Sequence, residues 1–303
     1  MTVVPLRTFT IGGSDAAAAA GIDPHKSRVM LFLEKMGRVE RAETEAMRWG
    51  TLLEPVIFGE LEERGYRVGT FSHPSADELQ DADRPWCVGH PDGIIDPPER
   101  EDGPPDLLEV KTVGQWAKRE WNGTPPLAYV AQCQHYLHLT GLDRALLAVL
   151  VGGQRLELST IARDDEAIRR LLALEEEFYG YLIRDELPAP DGSASAREAL
   201  AALFPESTER TVRLDKDAMR LYRELRARRE QADAIDAQKV ELENRLKALM
   251  GDAERAVSPH DEELIRWPSV ESSRVDVKAL REAHPEIAAE FVKVTQTRRF
   301  QAL

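Results

Sequence analysis

The sequence predicts an α/β (α+β) fold in which helices flank a central sheet, and three observations carry that reading. Short apolar runs alternate with amphipathic helical stretches as far as Arg184. The chain has 303 residues, of which 42% are hydrophobic, so it can bury one large core and carry a smaller appended unit. From Pro188 the composition shifts, first to the linker-like PAPDGSASA, then to a long segment rich in Ala, Glu, Arg, Lys and Leu. The expected division is residues 1–205 as one domain and 206–303 as an extension.

The elements follow in order. After Gly12 and Gly13, Ser14 reads as the N-cap of a short helix through the run Ala16 to Ala20, with Gly21 as its stop. A second helix runs from about Glu43 to Arg64, with Pro55 kinking it or marking a new first turn, and Gly65 ends it. Short strands are expected at Tyr66 to Phe71, Trp86 to Gly89, Gly93 to Ile95 and Leu107 to Lys111. Pro125-Pro126 opens a helix that reaches Gly141. Ala145 to Val151 pairs with Arg155 to Ile161 across Gly152-Gly153, and Asp164-Asp165 starts an amphipathic helix to about Arg184.

In the extension, Asp215 to Met250 reads as one long helix. Leu221, Leu225, Arg228, Ala232, Ile235, Lys239, Leu242, Leu246 and Leu249 follow alternating four and three spacing, an imperfect coiled-coil seam that needs something to pack on. A small α/β tail follows. It comprises a strand at Glu263 to Trp267, a helix at Val277 to Ala283, Pro285 at the first position of another, and a final extended segment near Val292, Val294 and Phe300.

No apolar stretch approaches the roughly 18 residues needed to cross a bilayer, and the N-terminal MTVVPLRTFT lacks signal-peptide architecture. Two cysteines, Cys87 and Cys133, provide no disulfide framework, so cytosolic residence is the simplest expectation, with no membrane partner. A net charge of -14 argues mildly against a polyanion ligand. It leaves room for a local basic groove, since screening confines distant charges to about 10 Å.

Chemistry concentrates around DLLEVKT, Asp106 to Thr112. In a strand, Glu109 and Lys111 share one face while Leu108 and Val110 share the other. Upstream, GHPDGII places Asp92 in a Pro-Asp-Gly turn between two strands. An acidic residue at a strand junction plus Glu-x-Lys on a neighbouring strand can bring two carboxylates and an ammonium together. Mg²⁺ uses one or two such carboxylates, so Asp92 and Glu109 are the candidate ligands, with the Val110 carbonyl as a third. Lys111 would orient or help deprotonate the attacking water, or stabilise charge on a phosphate.

Two further segments supply candidates. In YVAQCQHYLHLTG, helical spacing puts Tyr129, Gln132 and Tyr136 on one face, and Gln132 can reach the water or the phosphate. In MRWGTLLEPV, Glu54 stands beside Pro55, where its carboxylate can serve a second metal or its water. Ser14 lies where a helix N-terminus and two glycines can receive an anion. His90, His135 and His138 are read as packing or supporting residues, and Cys133 as a small buried apolar one.

Taken together and in this order, IGGSDAAAAAGIDPHKS, MRWGTLLEPV, GHPDGII, LLEVKT and YVAQCQHYLHLTG resemble the YqaJ-type viral recombinase nucleases. These are relatives of phage lambda exonuclease in the PD-(D/E)XK superfamily. The resemblance spans about Arg7 to Arg184, and the tail segments KALREAHPEIAAEF and TQTRRF are similar to extensions in phage members. It implies a restriction-endonuclease-like core around a mixed sheet and a Mg²⁺-dependent deoxyribonuclease, with Mn²⁺ able to substitute. Such an enzyme degrades one strand of duplex DNA from a 5′ end, leaving a 3′ overhang for a single-strand annealing protein.

Residue by residue, the resemblance assigns Asp92, Glu109 and Lys111 to the signature, Glu54 to the upstream helix carboxylate and Gln132 to the downstream glutamine. It assigns Ser14 and Arg7 to the 5′-phosphate. It also implies a ring trimer acting on double-stranded DNA ends. A structure-specific endonuclease with the same site, or a noncatalytic DNA- or protein-binding module, are the competing readings.

Overall fold

The computed structural model describes residues 9–40, 44–69, 79–98, 100, 103–115, 124–294 and 297–302. The chain divides into two compact units, one ending at Phe204 and the other beginning at Pro205.

The first unit is built on a five-stranded mixed sheet in the order β1 (Arg67–Gly69), β4 (Gly93–Asp96), β5 (Asp106–Val113), β6 (Arg144–Val151) and β7 (Arg155–Ala162). Only β5 and β6 run parallel, joined by the crossover helix α4 (Leu127–Thr140), which ends on Gly141 in the left-handed region at φ 71°. β6 and β7 form the hairpin expected at Gly152-Gly153, both glycines having positive φ. A short pair, β2 (Leu79–Gln80) with β3 (Val88–Gly89), lies apart from the main sheet.

Alternation along the strands sends side chains to two cores. Leu108, Val110, Leu146 and Ala148 pack with Ile57 and Leu61 of α3 (Glu45–Glu63) on one face. Leu107, Leu147 and Val149 pack with Cys133, Tyr136 and Leu137 of α4 on the other. Beyond α4, the helices α1 (Gly13–Ala19), α2 (Arg28–Lys35), α5 (Asp165–Arg184) and α6 (Ala194–Leu203) enclose a further core around Phe32, Phe178 and Leu182. Each fully buried Leu or Phe contributes roughly 1.5–3 kcal/mol.

Several expectations are corrected. The N-cap of α1 is Gly12, so Ser14 is the second residue of the helix, and it is exposed. Helix α3 starts after Thr44, whose side chain accepts from Met47 N, and passes through Pro55 unbroken. Helix α2, capped by Ser27, was not anticipated. The last three residues of the supposed linker, 194–196, open α6, which is capped by Ser193 and pinned to α2 where Ser27 N donates to Ser195 Oγ at 3.0 Å.

In the second unit, α7 (Lys216–Met250) is capped by Asp215, and none of its residues is buried. The seam therefore presents Leu221, Ile235, Leu242 and Leu249 to solvent. A hairpin follows, β8 (Arg255–Val257, not anticipated) with β9 (Glu263–Arg266). Next come α8 (Val277–Ala283) and α9 (Pro285–Glu290), which starts at its proline. Among the described residues no strand forms after α9, where an extended segment was expected.

Candidate active site

The site forms where β4 stops and β5 continues. β4 pairs with β5 only as far as Gly93 opposite Leu108, so beyond Leu108 that edge of β5 is open. Asp92, immediately before β4, fills the gap by accepting a hydrogen bond from Val110 N at 2.7 Å. The amide and carbonyl of one strand residue face the same edge, so the Val110 carbonyl turns toward Asp92 as well. A side chain at residue 93 would press on the Gly69 carbonyl, its Cβ falling 2.7 Å from that oxygen. Glycine there lets β1 and β4 close up beside Asp92.

Glu109 is not on an open charged front. The crossover helix lies across it, leaving it 1% exposed. Its Oε1 accepts from Lys111 Nζ at 2.5 Å and from Gln132 Nε2 at 2.6 Å. Oε2 is buried with no hydrogen-bond partner among the described residues. Burial, then the neighbouring carboxylates Asp92 and Glu54 against the pull of Lys111, lifts the Glu109 carboxyl to about 7.

Its surroundings are equally charged. Burial raises the Asp92 carboxyl, while the Val110 hydrogen bond and Lys111 act in the other direction. Glu54, half-buried on α3, is raised by burial and then by Asp92, which places it in the same electrostatic cluster. For Lys111, burial disfavours the ammonium, but Glu109 and Asp92 outweigh it and the pKa is raised. Lys111 is therefore a cation and a donor here.

The face expected on α4 is the face that meets this cluster. The Tyr129 ring centroid lies 5.8 Å from Lys111 Nζ, Gln132 holds Glu109, and the Tyr136 hydroxyl is 3.4 Å from Gln132 Nε2. Behind them, a Cβ on Gly13 would fall 2.4 Å from the Tyr136 ring. Gly13 thus serves close packing of α1 on α4. The Gly12 amide is also engaged, donating to Asp15 Oδ2 at 3.2 Å, and Lys35 pairs with that carboxylate at 2.6 Å. Ser14 keeps an exposed hydroxyl on the first turn, while Arg7 lies outside the described residues.

His90 is exposed and takes no visible part in this cluster. Cys133 is buried, and burial raises its thiol pKa, as a packing role requires. The reading of His135 as a packing or supporting residue did not foresee its buried ion pair, His135 Nδ1 to Glu175 Oε1 at 2.9 Å. Nothing local could announce it, since 40 residues separate the two.

The residues fit a hard divalent cation. Two carboxylates and a backbone carbonyl offer oxygen donors, and an orphaned buried carboxylate oxygen is what a ligand awaiting a cation leaves behind. Asp92 and Glu109 would hold it, with the Val110 carbonyl, and Glu54 would serve a second cation or its water.

Residues 4–143 match the model of the YqaJ-like viral recombinase domain. The chain is 32% identical over 298 residues to the uncharacterized protein YqaJ of Bacillus subtilis (strain 168), covering 96% of this chain and 90% of that one. Among solved structures, the alkaline exonuclease LHK-Exo of Laribacter hongkongensis, in complex with dAMP, is 21% identical with a TM-score of 0.47, covering 59% of this chain and 90% of its own. A phage-related exonuclease from Haemophilus somnus is 16% identical with a TM-score of 0.40, covering 58% and 96%.

Proposed function

Given that the chain belongs to the YqaJ-like viral recombinase family, we propose that it is a divalent-metal-dependent deoxyribonuclease that hydrolyses one strand of linear duplex DNA from a 5′ end. The product would be a 3′ single-stranded overhang, the substrate of a single-strand annealing protein. The observation that carries this reading is the Glu109 carboxylate, buried, with Oε1 fixed by Lys111 and Gln132 and Oε2 unpaired among the described residues.

When bound, Mg²⁺ or Mn²⁺ would supply positive charge that polarises the scissile phosphoryl group and acidifies a water. The chain's own residues do the rest. Asp92 is oriented by Val110 N, so one of its oxygens is committed to the protein and the other is left for the cation side. Gln132 and Lys111 lock the rotamer of Glu109. Lys111, held as ammonium, donates to the non-bridging oxygen whose charge grows as the bond breaks. Glu54 adds a carboxylate for a second cation or for aligning the water.

Residues 1–205 would form the nuclease and 206–303 an extension. The exposed Ser14 hydroxyl is assigned to the 5′-phosphate, as is Arg7. A homo-oligomeric ring trimer around the duplex would confer processivity.

The test uses linear duplex with a 5′-phosphate, linear duplex with a 5′-hydroxyl, and covalently closed circles, each with Mg²⁺ and either wild type or Lys111→Ala. Degradation of linear DNA alone, faster with the phosphate and lost in the variant, supports the proposal. Cutting of circles would replace it with an endonuclease, and binding without cleavage would remove catalysis.

A further inference from the structure

We propose that Asp81, Cys87 and His138 form a second metal site, for a zinc-class cation, distinct from the oxygen cluster of Asp92 and Glu109. The inference stands independently of the nuclease reading. The three residues come from separate segments: the loop after β2, the residue before β3 and the last turn of α4. Their donor atoms nevertheless all lie within 4.8 Å of one another. His138 Nε2 is 2.5 Å from Asp81 Oδ2. The other oxygen of Asp81 accepts from the amides of Asp83 and Arg84, at 2.8 and 3.1 Å, which fixes the carboxylate with Oδ2 toward the histidine.

The donor chemistry selects the ion. A thiol sulfur, an imidazole nitrogen and a carboxylate oxygen suit borderline-soft Zn²⁺, whereas Mg²⁺ takes oxygen alone. A metal-binding cysteine gives up its thiol proton. His135 Nε2 lies 3.8 Å from Sγ and 2.8 Å from the Val88 carbonyl, and Nδ1 meets Glu175. The Val88 carbonyl can only accept, so Nε2 carries an N–H that faces both that carbonyl and the sulfur.

A second observation points the same way. Glu175 is 0% exposed, its Oε2 has no hydrogen-bond partner among the described residues, and its donor atom, with those of His135 and Cys87, again falls within 4.8 Å. Around Cys87 there are thus two carboxylates, one of them short of a hydrogen bond. Against them stand the His135 imidazolium and Arg84, which reaches Asp81 Oδ2 at 3.4 Å. Once its proton is lost, Cys87 adds a third negative charge, which a cation between Asp81, Cys87 and His138 offsets. Its binding displaces the thiol proton and the hydrogen bond between His138 and Asp81. His138 is partly exposed, which leaves an entry path.

The consequence is mechanical. Cys87 begins the segment that runs through β3 to Asp92, and His138 shares α4 with Gln132. A metal joining them would fix the two elements that bracket Glu109.

The experiment uses the full chain, reduced and chelator-stripped, titrated with Co²⁺. Expected are one equivalent bound with a thiolate-to-cobalt charge-transfer band and tetrahedral d–d bands, displaced by Zn²⁺ but not by excess Mg²⁺. Cys87→Ser should abolish the charge-transfer band, and His138→Ala should weaken Co²⁺ binding at least tenfold. The double variant Asp92→Asn/Glu109→Gln should keep the spectrum, and Zn²⁺ should raise the Tm of wild type but not of Cys87→Ser. Co²⁺ that shows no charge-transfer band in the wild type overturns the proposal. So does a band unchanged in His138→Ala, a partly exposed position that decides the matter should Cys87→Ser fail to fold by far-ultraviolet circular dichroism.

Discussion

Gln132 on α4 donates to Glu109 Oε1 on β5 across 2.6 Å, so a helix that crosses the sheet sets the rotamer of a carboxylate in the strand beneath it. Replacing Gln132 with Leu keeps the volume and removes the donor. The expected result is a loss of about 10- to 100-fold in Mg²⁺ affinity or activity, the usual consequence of removing an orienting partner. Metal titration of nuclease activity checks it. An unchanged Mg²⁺ midpoint and rate would show that Lys111 alone orients Glu109.

Lys111 and Glu109 should separate into two kinds of defect. Lys111→Ala removes a positive charge beside the metal ligands, so cation binding should be as tight as in wild type or tighter. The rate should nevertheless fall by about 10²- to 10³-fold through loss of a donor to developing charge. Glu109→Gln should lose both binding and rate. Isothermal titration with Mn²⁺ beside single-turnover cleavage distinguishes them; weaker Mn²⁺ binding in Lys111→Ala would contradict the assignment.

The Glu109 carboxyl, lifted from 4.5 to about 7, makes the metal-free protein less stable as pH rises. A raised carboxyl pKa means the folded state holds a proton that the unfolded chain has released. Its contribution is complete below pH 4.5 and is lost as pH climbs through about 7. The span is worth on the order of 3 kcal/mol. In chelator, thermal melts of Glu109→Gln against wild type should converge toward pH 5 and diverge in the variant's favour toward pH 8. Equal Tm differences at both pH values would show that the carboxyl is not displaced.

The site was more legible than its enclosure. Period-two alternation alone placed Glu109 beside Lys111, helical spacing placed Tyr129, Gln132 and Tyr136 together, and the Pro-Asp-Gly turn located Asp92 before β4. That Glu109 is buried was not legible, because it follows from where α4 lands on the sheet. Helix α6 was hidden for a similar reason. Its small residues follow a Pro- and Gly-rich stretch, and its anchor to Ser27 spans 168 positions. The long helix α7 was legible from composition and spacing, yet its seam is exposed, so periodicity fixed the element but not its environment.

The buried pair of His135 and Glu175 works in the same pH sense as Glu109, through a cation rather than a neutral acid. The imidazole's raised pKa stabilises the fold fully below its ordinary value of 6.5, and this contribution disappears as pH passes the folded value. Removing the carboxylate in Glu175→Ala strands a buried cation and should cost about 3–5 kcal/mol near neutrality. Urea unfolding at several pH values reads this directly. The deficit should shrink at alkaline pH, where His135 is neutral, and a deficit independent of pH would assign Glu175 to packing alone.

Gly13 should tolerate no side chain without a shift, because the Tyr136 ring occupies the space a Cβ would take. A Cβ there would lie 2.4 Å from Tyr136 Cε1. The same ring also meets Gly89, where a Cβ would fall 2.9 Å from Tyr136 Cδ1. Gly13→Ala must therefore push α1 off α4 or swing the ring away from Gln132, at a cost of about 1–3 kcal/mol. Either movement reaches the active site through the Tyr136 hydroxyl, so activity should fall with stability. Tyr136→Leu makes room, and the double variant Gly13→Ala/Tyr136→Leu should then lose less stability than the sum of the single losses. Additive losses would mean that α1 moves independently of Tyr136, and that the two glycines serve the chain's path rather than the ring.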